Sequence, residues 1–500
     1  MSHFKESFMN FTQANTIAKR KAADVLILPF FKGKNSAEKA FEEKIEPFFS
    51  IPVEAKDFLG NEGEILILYP SDQVEKRCLL LGLGDPSKIT VEKLRRSFSQ
   101  VAKLCQKQKF SEVNLVLPEI NSFTNEQIAR GLIEGLLLVN YTFDQLKGEK
   151  NKEDSPSLLF EVCLIGSAKN IVAIAEKYTA IAEGVYFARD LVNGNADDVT
   201  PQYLCKVATG IAKNFTNVTT TIFDKKRIEK ENMGLLLAVN RGSDSDPALI
   251  IIEYKGNPKS KDKTVLVGKG VTYDTGGLNI KVSNMETMKG DMGGAAAVMG
   301  TIVAAANLKL KVNVTAVVPT TENSISARSY KPGDIYKSYS GKIVEIGNTD
   351  AEGRLILADA LAYAVDHLKP TRVIDLATLT GAIIIALGTE TIGLFSNNDA
   401  LADGLIRSGS DTYERVWRLP LHEEYRDQLK SDFADLRNIG GRAASSITAA
   451  MFLQEFVGKT PWAHLDIAGT AYLEDGAKRY HPKYGTGSGV RLLIDFLEQQ

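Results

Sequence analysis

The alternation of two apolar patterns is the feature that most constrains how this chain can fold. Short apolar runs bounded by glycine or proline, such as "DVLILPFF" (24–31) and "CLLLGLG" (78–84), predict β-strands. Longer segments, such as 90–108, repeat apolar residues every three or four positions, which predicts amphipathic helices. The same alternation resumes after Pro201, so the sequence predicts an α/β fold.

The length of the chain and one long helical pattern predict two domains. Its 500 residues are too many for one small core. A charged, turn-rich stretch at 144–157 reads as a surface loop, and a long helical pattern follows one further strand. We predict a smaller N-terminal α/β domain over 1–169, a connecting helix over 170–198 and a larger C-terminal α/β domain over 199–500.

Composition excludes several classes of protein. With 44% apolar and 24% charged residues and a net charge of −2, the chain has no overall basic field that would recruit nucleic acid or an anionic membrane. Its four cysteines lie far apart without a CxxC pair, which is typical of a reducing cytosol. The N-terminus lacks a signal-peptide pattern, and no run approaches the ~20 apolar residues that span a bilayer. We therefore predict a cytoplasmic protein without a membrane segment.

Charged residues gather where predicted strands of the second domain end. They follow the strand at 263–270, precede the small-residue helix at 293–308, or lie between the strand at 341–348 and the helix at 354–370. Ligand sites of open α/β sheets lie at the carboxyl ends of the strands. The sequence thus predicts one site containing Lys269, Asp274, Lys281, Asp291, Asp350, Glu352 and Arg354.

The residue types in this group indicate metal chemistry. The five histidines form neither HExxH nor a Cys–His zinc spacing, whereas four carboxylates provide the hard oxygen ligands that divalent cations prefer. Two cations about 3.5–4 Å apart can share a nucleophilic water and polarise a carbonyl. A lysine can join them as a ligand only when it is deprotonated, which neighbouring cations favour.

Each member of the group also has an ordinary structural interpretation. Asp274 could form a turn before Gly276, Asp291 could cap a helix, and the other carboxylates and the lysines could be solvated. Arg354 is harder to explain, because the first turn of a helix disfavours a cation unless an anion lies nearby. Taken singly the ordinary interpretations prevail, but convergence at one sheet edge favours a site.

The stretch "NTDAEGRL" (348–355) is similar to the signature of the leucyl aminopeptidase family, the cytosolic two-metal metallopeptidases. The resemblance continues in the same order through "GKGVTYDTGGLNIK", "DMGGAAAV", "ENSISARSYKPGDI", "DLATLTGA" and "PWAHLDIAGTA". It covers most of 247–470 and weakens toward position 141. The family implies a larger C-terminal catalytic domain with a mixed central sheet flanked by helices.

The resemblance also implies roles for individual residues. Lys269, Asp274, Asp291, Asp350 and Glu352 match positions that bind two divalent metal ions, Mn²⁺ or Zn²⁺, with Asp274 and Glu352 bridging the pair. Lys281 and Arg354 match the catalytic residues: the lysine polarises the carbonyl and stabilises the oxyanion, and the arginine holds a bicarbonate that relays the water proton. Substrate contacts are expected from Lys281, Met288, Asn348, Thr378, Leu379 and Gly381.

The resemblance implies a homohexamer that releases N-terminal residues from peptides, preferably leucine or other bulky apolar residues. Departures from the usual family pattern, such as "NGNADD" (193–198), leave the substrate preference open but spare the seven metal and catalytic positions. Two alternatives stay open: an additional DNA-binding regulatory role, for which the scattered basic residues offer little, and another two-metal hydrolase such as a phosphoesterase.

Overall fold

The computed structural model describes residues 9–32, 52, 55–70, 74–148, 160–474 and 479–500. Its contacts divide the chain into two compact units. The first unit comprises residues 1–182 and 477–482, and the second comprises residues 183–476 and 483–500. The long helical pattern forms a helix over Ile171–Asn193, and the division falls within it. The domain bounds 1–169, 170–198 and 199–500 stay our proposal. Of the predicted loop at 144–157, positions 149–157 lie outside the described residues.

The first unit contains one mixed sheet and the helices that follow its strands. Its described strands are β1 (Asn10–Ala14), β2 (Val25–Phe30), β3 (Ile65–Leu68), β4 (Cys78–Gly82), β5 (Glu112–Val116) and β6 (Glu161–Ile165), and its helices are α1 (Val91–Gln108), α2 (Asn125–Val139) and the first part of α3 (Ile171–Asn193). The sheet order is β1-β6-β5-β2-β4-β3. Only the β3–β4 pair among these described strands is antiparallel.

The second unit carries a larger mixed sheet and two small ones. Its described strands are β7 (Val218–Phe223), β8 (Ala248–Lys255), β9 (Thr264–Gly268), β10 (Gly270–Asp274), β11 (Asn313–Asn323), β12 (Ile335–Lys337), β13 (Ile343–Glu345), β14 (Arg372–Ala377), β15 (Ile392–Ser396), β16 (Val416–Arg418), β17 (Leu436–Arg437), β18 (Trp462–Asp466), β19 (Tyr472–Leu473) and β20 (Tyr484–Gly485). The large sheet runs β16-β15-β18-β14-β9-β11-β8-β7, with β10 also paired to β11. The small sheets are β12-β13-β17 and β19-β20.

Nine helices of the second unit flank this sheet within the described residues. They are α4 (Pro201–Asn214), α5 (Lys225–Lys230), α6 (Gly234–Asn240), α7 (Gly293–Leu308), α8 (Glu352–Tyr363), α9 (Gly381–Leu387), α10 (Asp399–Thr412), α11 (Ser445–Gln454) and α12 (Val490–Glu498). The predicted α/β fold, with a larger second unit built on a mixed sheet flanked by helices, is confirmed.

Helix α7 is buried over most of its length in the second unit. Alanine and glycine dominate its sequence, and the bounds predicted for it, 293–308, are those observed. The longer stretch Met285–Leu308 is apolar and long enough to cross a membrane by composition alone, yet 83% of its most apolar window is buried inside the protein. The segment therefore serves as a core helix here.

Helix α8 begins two residues before its predicted start and is buried along its whole length. A π-helical turn over Ala364–Leu368 continues it toward Pro370. The buried carboxylate of Asp359 accepts backbone N–H groups of Leu235, Leu236 and Tyr339 at 2.9, 3.0 and 2.8 Å. These bonds attach the helix to two neighbouring segments of the chain.

We expect Gly294→Ala to destabilise the second unit. A Cβ at position 294 would lie 2.1 Å from the carbonyl oxygen of Leu376 and 2.9 Å from the backbone nitrogen of Lys269, so α7 would have to move away from β9 and β14. Such overpacking costs about 3 kcal/mol, which thermal unfolding would detect as a lower Tm. Gly404→Ala is the matched control, because its Cβ would meet only the Phe496 ring, at 3.0 Å. Equal Tm values for the two variants would contradict this packing account.

Candidate active site

The carboxyl ends of three adjacent parallel strands define one edge of the large sheet. β14 pairs in parallel with both β9 and β18. Lys269 follows β9, Thr378 follows β14, and Asp466 ends β18. Asp274 ends β10, which lies parallel to β11. The structure thus places Lys269 and Asp274, two of the seven predicted site residues, at strand ends.

Lys269 is a buried cation between two buried carboxylates. Its ammonium nitrogen lies 2.7 Å from Asp291 and 2.9 Å from Glu352, and it donates to the carbonyl oxygen of Thr378 at 3.0 Å. Asp291 accepts a further bond from the Thr378 hydroxyl at 2.7 Å. Burial alone would lower the pKa of Lys269, but Asp291 and Glu352 outweigh that effect and raise it.

Lys281 makes a similar bridge between two other carboxylates. Its ammonium nitrogen lies 2.9 Å from Asp274 and 2.5 Å from Asp350. Asp274 also accepts the Gly276 N–H at 2.9 Å. Lys281 is more exposed than Lys269, so its ammonium group is accessible from the solvent side of the site.

The cluster carries more negative than positive charge. Oxygen atoms of Asp274, Asp350 and Glu352 lie within 4.8 Å of one another. Four carboxylates face two ammonium groups, and burial together with Glu352 raises the pKa of Asp274 to about 6. Burial likewise raises the pKa of Asp291 to about 8, against the opposing effect of Lys269. Such a cluster needs additional positive charge to keep its carboxylates ionised at neutral pH.

Two buried carboxylate oxygens of the cluster, Oδ2 of Asp291 and Oε2 of Glu352, have no hydrogen-bond partner within the described part of the chain. The Asp291 atom lies 2.7 Å from the Lys269 ammonium nitrogen, so Oε2 of Glu352 is the one more free to accept a ligand. Burial alone would raise the pKa of Glu352, but Lys269 and Lys281 outweigh it and lower that pKa. An ionised, buried oxygen without a donor fits a cation, because buried charges are otherwise paired or coordinated to metals.

Arg354 lies buried behind the carboxylates, in the first turn of α8. One guanidinium nitrogen donates to the carbonyl oxygen of Asn438 at 2.7 Å, whereas the buried Nε atom has no hydrogen-bond partner among the described residues. Burial lowers the pKa of Arg354 to about 10, although Glu352 and Asp466 oppose the shift. The unpaired N–H is a donor that a small anion would satisfy.

The cluster opens into a cavity of about 490 Å³. Most of the residues predicted to act on substrate or metal contribute to its wall, namely Lys269, Asp274, Lys281, Met288, Asp291, Asp350, Glu352, Thr378, Leu379 and Gly381. Asn348 and Arg354 are not part of that lining. The side-chain oxygen of Asn348 instead accepts the N–H of Asp350 at 2.7 Å.

Two buried asparagines that the sequence did not single out hold the carboxylate segments in place. The Asn323 amide donates to Asp274 at 2.8 Å and to the carbonyl oxygen of Thr349 at 3.0 Å. The Asn438 amide donates to the carbonyl oxygen of Asn348 and accepts the Gly347 N–H, both at 2.7 Å. Asn323 lies in the quoted segment "ENSISARSYKPGDI", but nothing local in the sequence distinguishes either amide from a surface asparagine.

The catalytic-domain model of the cytosol aminopeptidase family matches residues 186–494, and the N-terminal-domain model of the same family matches residues 27–150. The chain belongs to the cytosol aminopeptidase family. It is therefore a peptidase, and members of this family depend on metal ions. The resemblance of "NTDAEGRL" and its companion segments to this family is thereby confirmed.

Relatives in this family match over nearly the whole chain. A probable cytosol aminopeptidase of Protochlamydia amoebophila is 56% identical over 98% of this chain and 99% of its own length. One from Chlamydia abortus is 48% identical over 96% of this chain and 97% of its own length.

Two solved structures have the same fold as this chain. A mutant of tomato leucine aminopeptidase aligns with a TM-score of 0.87 and 30% identity, over 99% of this chain and 97% of its own. The bottromycin maturation enzyme BotP, solved in complex with Mn, aligns with a TM-score of 0.84 and 32% identity, over 96% of this chain and 99% of its own.

We expect the buried His464–Asp375 pair to make stability depend on pH. The His464 Nδ1 atom lies 2.6 Å from Asp375, and although burial alone would lower the pKa of His464, Asp375 raises it. Because the folded-state pKa lies above that of the unfolded chain, the stabilisation is full below about pH 6.5 and is lost as the pH rises through the folded-state value. His464→Asn keeps an amide donor but cannot titrate.

The measurement is the free energy of unfolding of both proteins, from urea titrations at about pH 6 and about pH 9. The advantage of the wild type over His464→Asn should be larger at the lower pH. An advantage that grows with pH would show that His464 is not stabilised as a cation.

Proposed function

We propose that this chain is a leucyl aminopeptidase that uses two divalent metal ions, Mn²⁺ or Zn²⁺, to release N-terminal leucine or other bulky apolar residues from peptides. The observation that carries the proposal is the cluster of four carboxylates and two lysines at the wall of one cavity. Family membership supports the peptide substrate and the need for metal. The metal count, the metal identity and the leucine preference are our own inference.

The donor set fits two cations. Asp274 and Glu352 would bridge the pair, Asp291 and Lys269 would bind one ion, and Asp350 would bind the other. The buried Oε2 of Glu352 and the close approach of the Asp274, Asp350 and Glu352 oxygens support this assignment. Lys269 is paired with carboxylates and needs to lose its proton to act as a ligand, which the charge of the cations would favour.

Lys281 is the residue we assign to the developing oxyanion. When bound, the two cations would polarise the scissile carbonyl and lower the pKa of a nearby water. The Lys281 ammonium group is already held by Asp274 and Asp350 at the cavity wall, so it can donate to the oxyanion with little reorganisation. A free α-amine is a group these cations would accept, which would restrict cleavage to the first peptide bond.

The cavity wall supports a bulky apolar first residue. Met288, Leu379, Ile384 and Ala468 contribute apolar surface. Gly381 also lines the cavity, and a Cβ placed there would meet no atom within 4 Å, so glycine keeps this part of the space open. The Thr378 hydroxyl donates to Asp291 and its carbonyl oxygen accepts from Lys269, so Thr378 would contribute mainly by placing Leu379. Asn348 would act indirectly, because its side chain accepts the N–H of Asp350 and stabilises the loop that carries this carboxylate.

Arg354 is the residue we assign to a small anion such as bicarbonate. Its buried guanidinium, with an unpaired Nε atom in the described structure, supports this assignment. When bound, that anion would accept a proton from the attacking water. The anion would also offset the unfavourable placement of a cation in the first turn of α8. A homohexameric assembly and a cytoplasmic location remain predictions from the family resemblance, to be tested by sedimentation and by cell fractionation.

We expect Lys281→Met to lower kcat for release of a leucyl anilide by roughly 10²–10³-fold, because one donor to the oxyanion is lost. Chelation of the wild-type enzyme should abolish the same activity, and metal should restore it. Lys331→Met, which removes an exposed lysine of the same unit, is the matched control and should keep wild-type kcat.

The proposal fails if the metal-loaded wild-type protein releases no leucine. A phosphate ester assayed in parallel tests the remaining two-metal alternative, since a phosphoesterase would cleave the ester and leave the anilide intact. A gel-retardation assay at low salt tests the DNA-binding alternative.

We also expect Asn323→Leu to weaken Mn²⁺ binding by roughly 10–100-fold, because groups that orient metal ligands commonly contribute that much. The variant keeps side-chain volume and removes the amide that holds Asp274. Asp274 retains the Gly276 N–H, and Thr349 retains the Tyr330 hydroxyl, so folding should survive.

Titration calorimetry with Mn²⁺ measures the change in affinity. Asn397→Leu is the control, because its amide also joins two segments but lies beside Trp462, at the start of β18 and away from the carboxylates. Equal Mn²⁺ affinities for wild type and Asn323→Leu would contradict the positioning of Asp274 by Asn323.

A further inference from the structure

Asp466 is a buried carboxylate that has no place in the proposed metal or catalytic set. It ends β18 and is 1% exposed. Its Oδ1 atom accepts the N–H groups of Leu379 and Ala468 at 3.1 and 3.2 Å, and its Oδ2 atom accepts the Thr380 hydroxyl at 2.7 Å. Its two oxygens therefore bond to two separate segments of the chain, one containing Leu379 and Thr380 and the other containing Ala468.

These two segments both form part of the cavity wall. Leu379, Thr380 and Gly381 follow β14, whereas Ala468 and Gly469 follow β18, and all five line the cavity. Asp466 is the side chain that bonds to both segments at once. The backbone adds one bond between them, from the Ile467 N–H to the Ala377 carbonyl oxygen at 2.9 Å.

Gly469 also packs closely against the C-terminal end of α9, the helix that follows Thr380. A Cβ at position 469 would lie 2.2 Å from the carbonyl oxygen of Gly388, which ends α9. Thr380 is the N-cap of α9, since its hydroxyl oxygen accepts the Ile383 N–H at 3.2 Å. A change in the bonds of Thr380 would therefore move α9, and with it Ile384 on the cavity wall.

One of these segments also reaches the metal-binding cluster. The Thr378 carbonyl oxygen accepts from Lys269, and the Thr378 hydroxyl donates to Asp291. Thr378 therefore contacts the carboxylate cluster, while the next residue, Leu379, lines the cavity. A displacement of this segment would shift the first substrate residue relative to the scissile bond.

We infer that Asp466 is a positioning residue for substrate selectivity: its carboxylate joins the 378–381 and 467–469 segments into one rigid wall that fits a bulky apolar first residue. This inference rests on the proposed aminopeptidase function. Three charge-assisted hydrogen bonds that a buried carboxylate accepts have the strength and direction to fix the wall. Selectivity for one side chain over another depends on such fixed contacts.

The experiment compares Asp466→Ala, Asp466→Asn and Asp375→Ala. Asp466→Ala removes all three acceptor contacts, and Asp466→Asn keeps an oxygen for the two N–H groups and an amide that can donate to Thr380. Asp375→Ala is the matched control, because Asp375 is equally buried on the neighbouring strand but bonds to Trp462 and His464 instead. The readout is the ratio of kcat/KM for leucyl and alanyl anilides, with hydrogen exchange of the 378–388 and 467–474 peptides.

We expect Asp466→Ala to reduce the leucyl-to-alanyl ratio by roughly tenfold or more and to speed exchange in both peptides. Asp466→Asn should restore most of the ratio, and Asp375→Ala should leave it at the wild-type value. An unchanged ratio in Asp466→Ala, or an equal loss in Asp375→Ala, would overturn the inference.

If Asp466→Ala does not fold, Thr380→Val and Thr380→Ser test the same wall. Valine removes the hydroxyl that donates to Asp466, whereas serine keeps it. Only the valine variant should therefore lower the leucyl-to-alanyl ratio of kcat/KM. Equal ratios in the two variants would overturn the inference. Hydrogen exchange also separates this inference from the proposed function. If the wild type cleaves no leucyl substrate, the function fails, while faster exchange in both peptides of Asp466→Ala would still show that Asp466 joins the two segments.

Discussion

The central constraint on this structure is the burial of three carboxylates, with the exposed Asp350 next to them, beside two lysine ammonium groups at one sheet edge. A buried charge without a partner costs several kcal/mol, so Lys269 and Lys281 each lie between two carboxylates. The excess negative charge and the unpaired Oε2 of Glu352 are what make this edge suited to cations. The elements around the edge are placed so that the cluster forms: parallel strands end there, and α8 starts there.

A frame of buried polar side chains keeps the cluster and the cavity in fixed geometry. Asn323 holds Asp274, Asn438 holds the loop before α8, and Asp466 holds the two segments that line the pocket. Each of these side chains joins segments that are distant in sequence. Rigid supports of this kind let a small number of charged groups act with defined direction, which is the condition for electrostatic catalysis.

The sequence predicted the parts of this structure that depend on local pattern. Helix α7 has the predicted bounds because a run of alanine and glycine favours one buried helix, and Lys269 and Asp274 do lie at strand ends. Strand β10 was not predicted, because it is short and pairs with β11 across an irregular register. The roles of Asn323 and Asn438 could not be predicted either, since the partners of their amides lie 49 and 90 positions away.

The metal content of the purified protein tests the central claim most directly. After metal loading and dialysis, elemental analysis should find two divalent ions per chain in the wild type. Asp291→Ala should keep one, because Asp291 is assigned to one ion only, and Glu352→Ala should lose metal from both positions. A wild-type protein with one ion or none, or an Asp291→Ala protein that still holds two, would contradict the account.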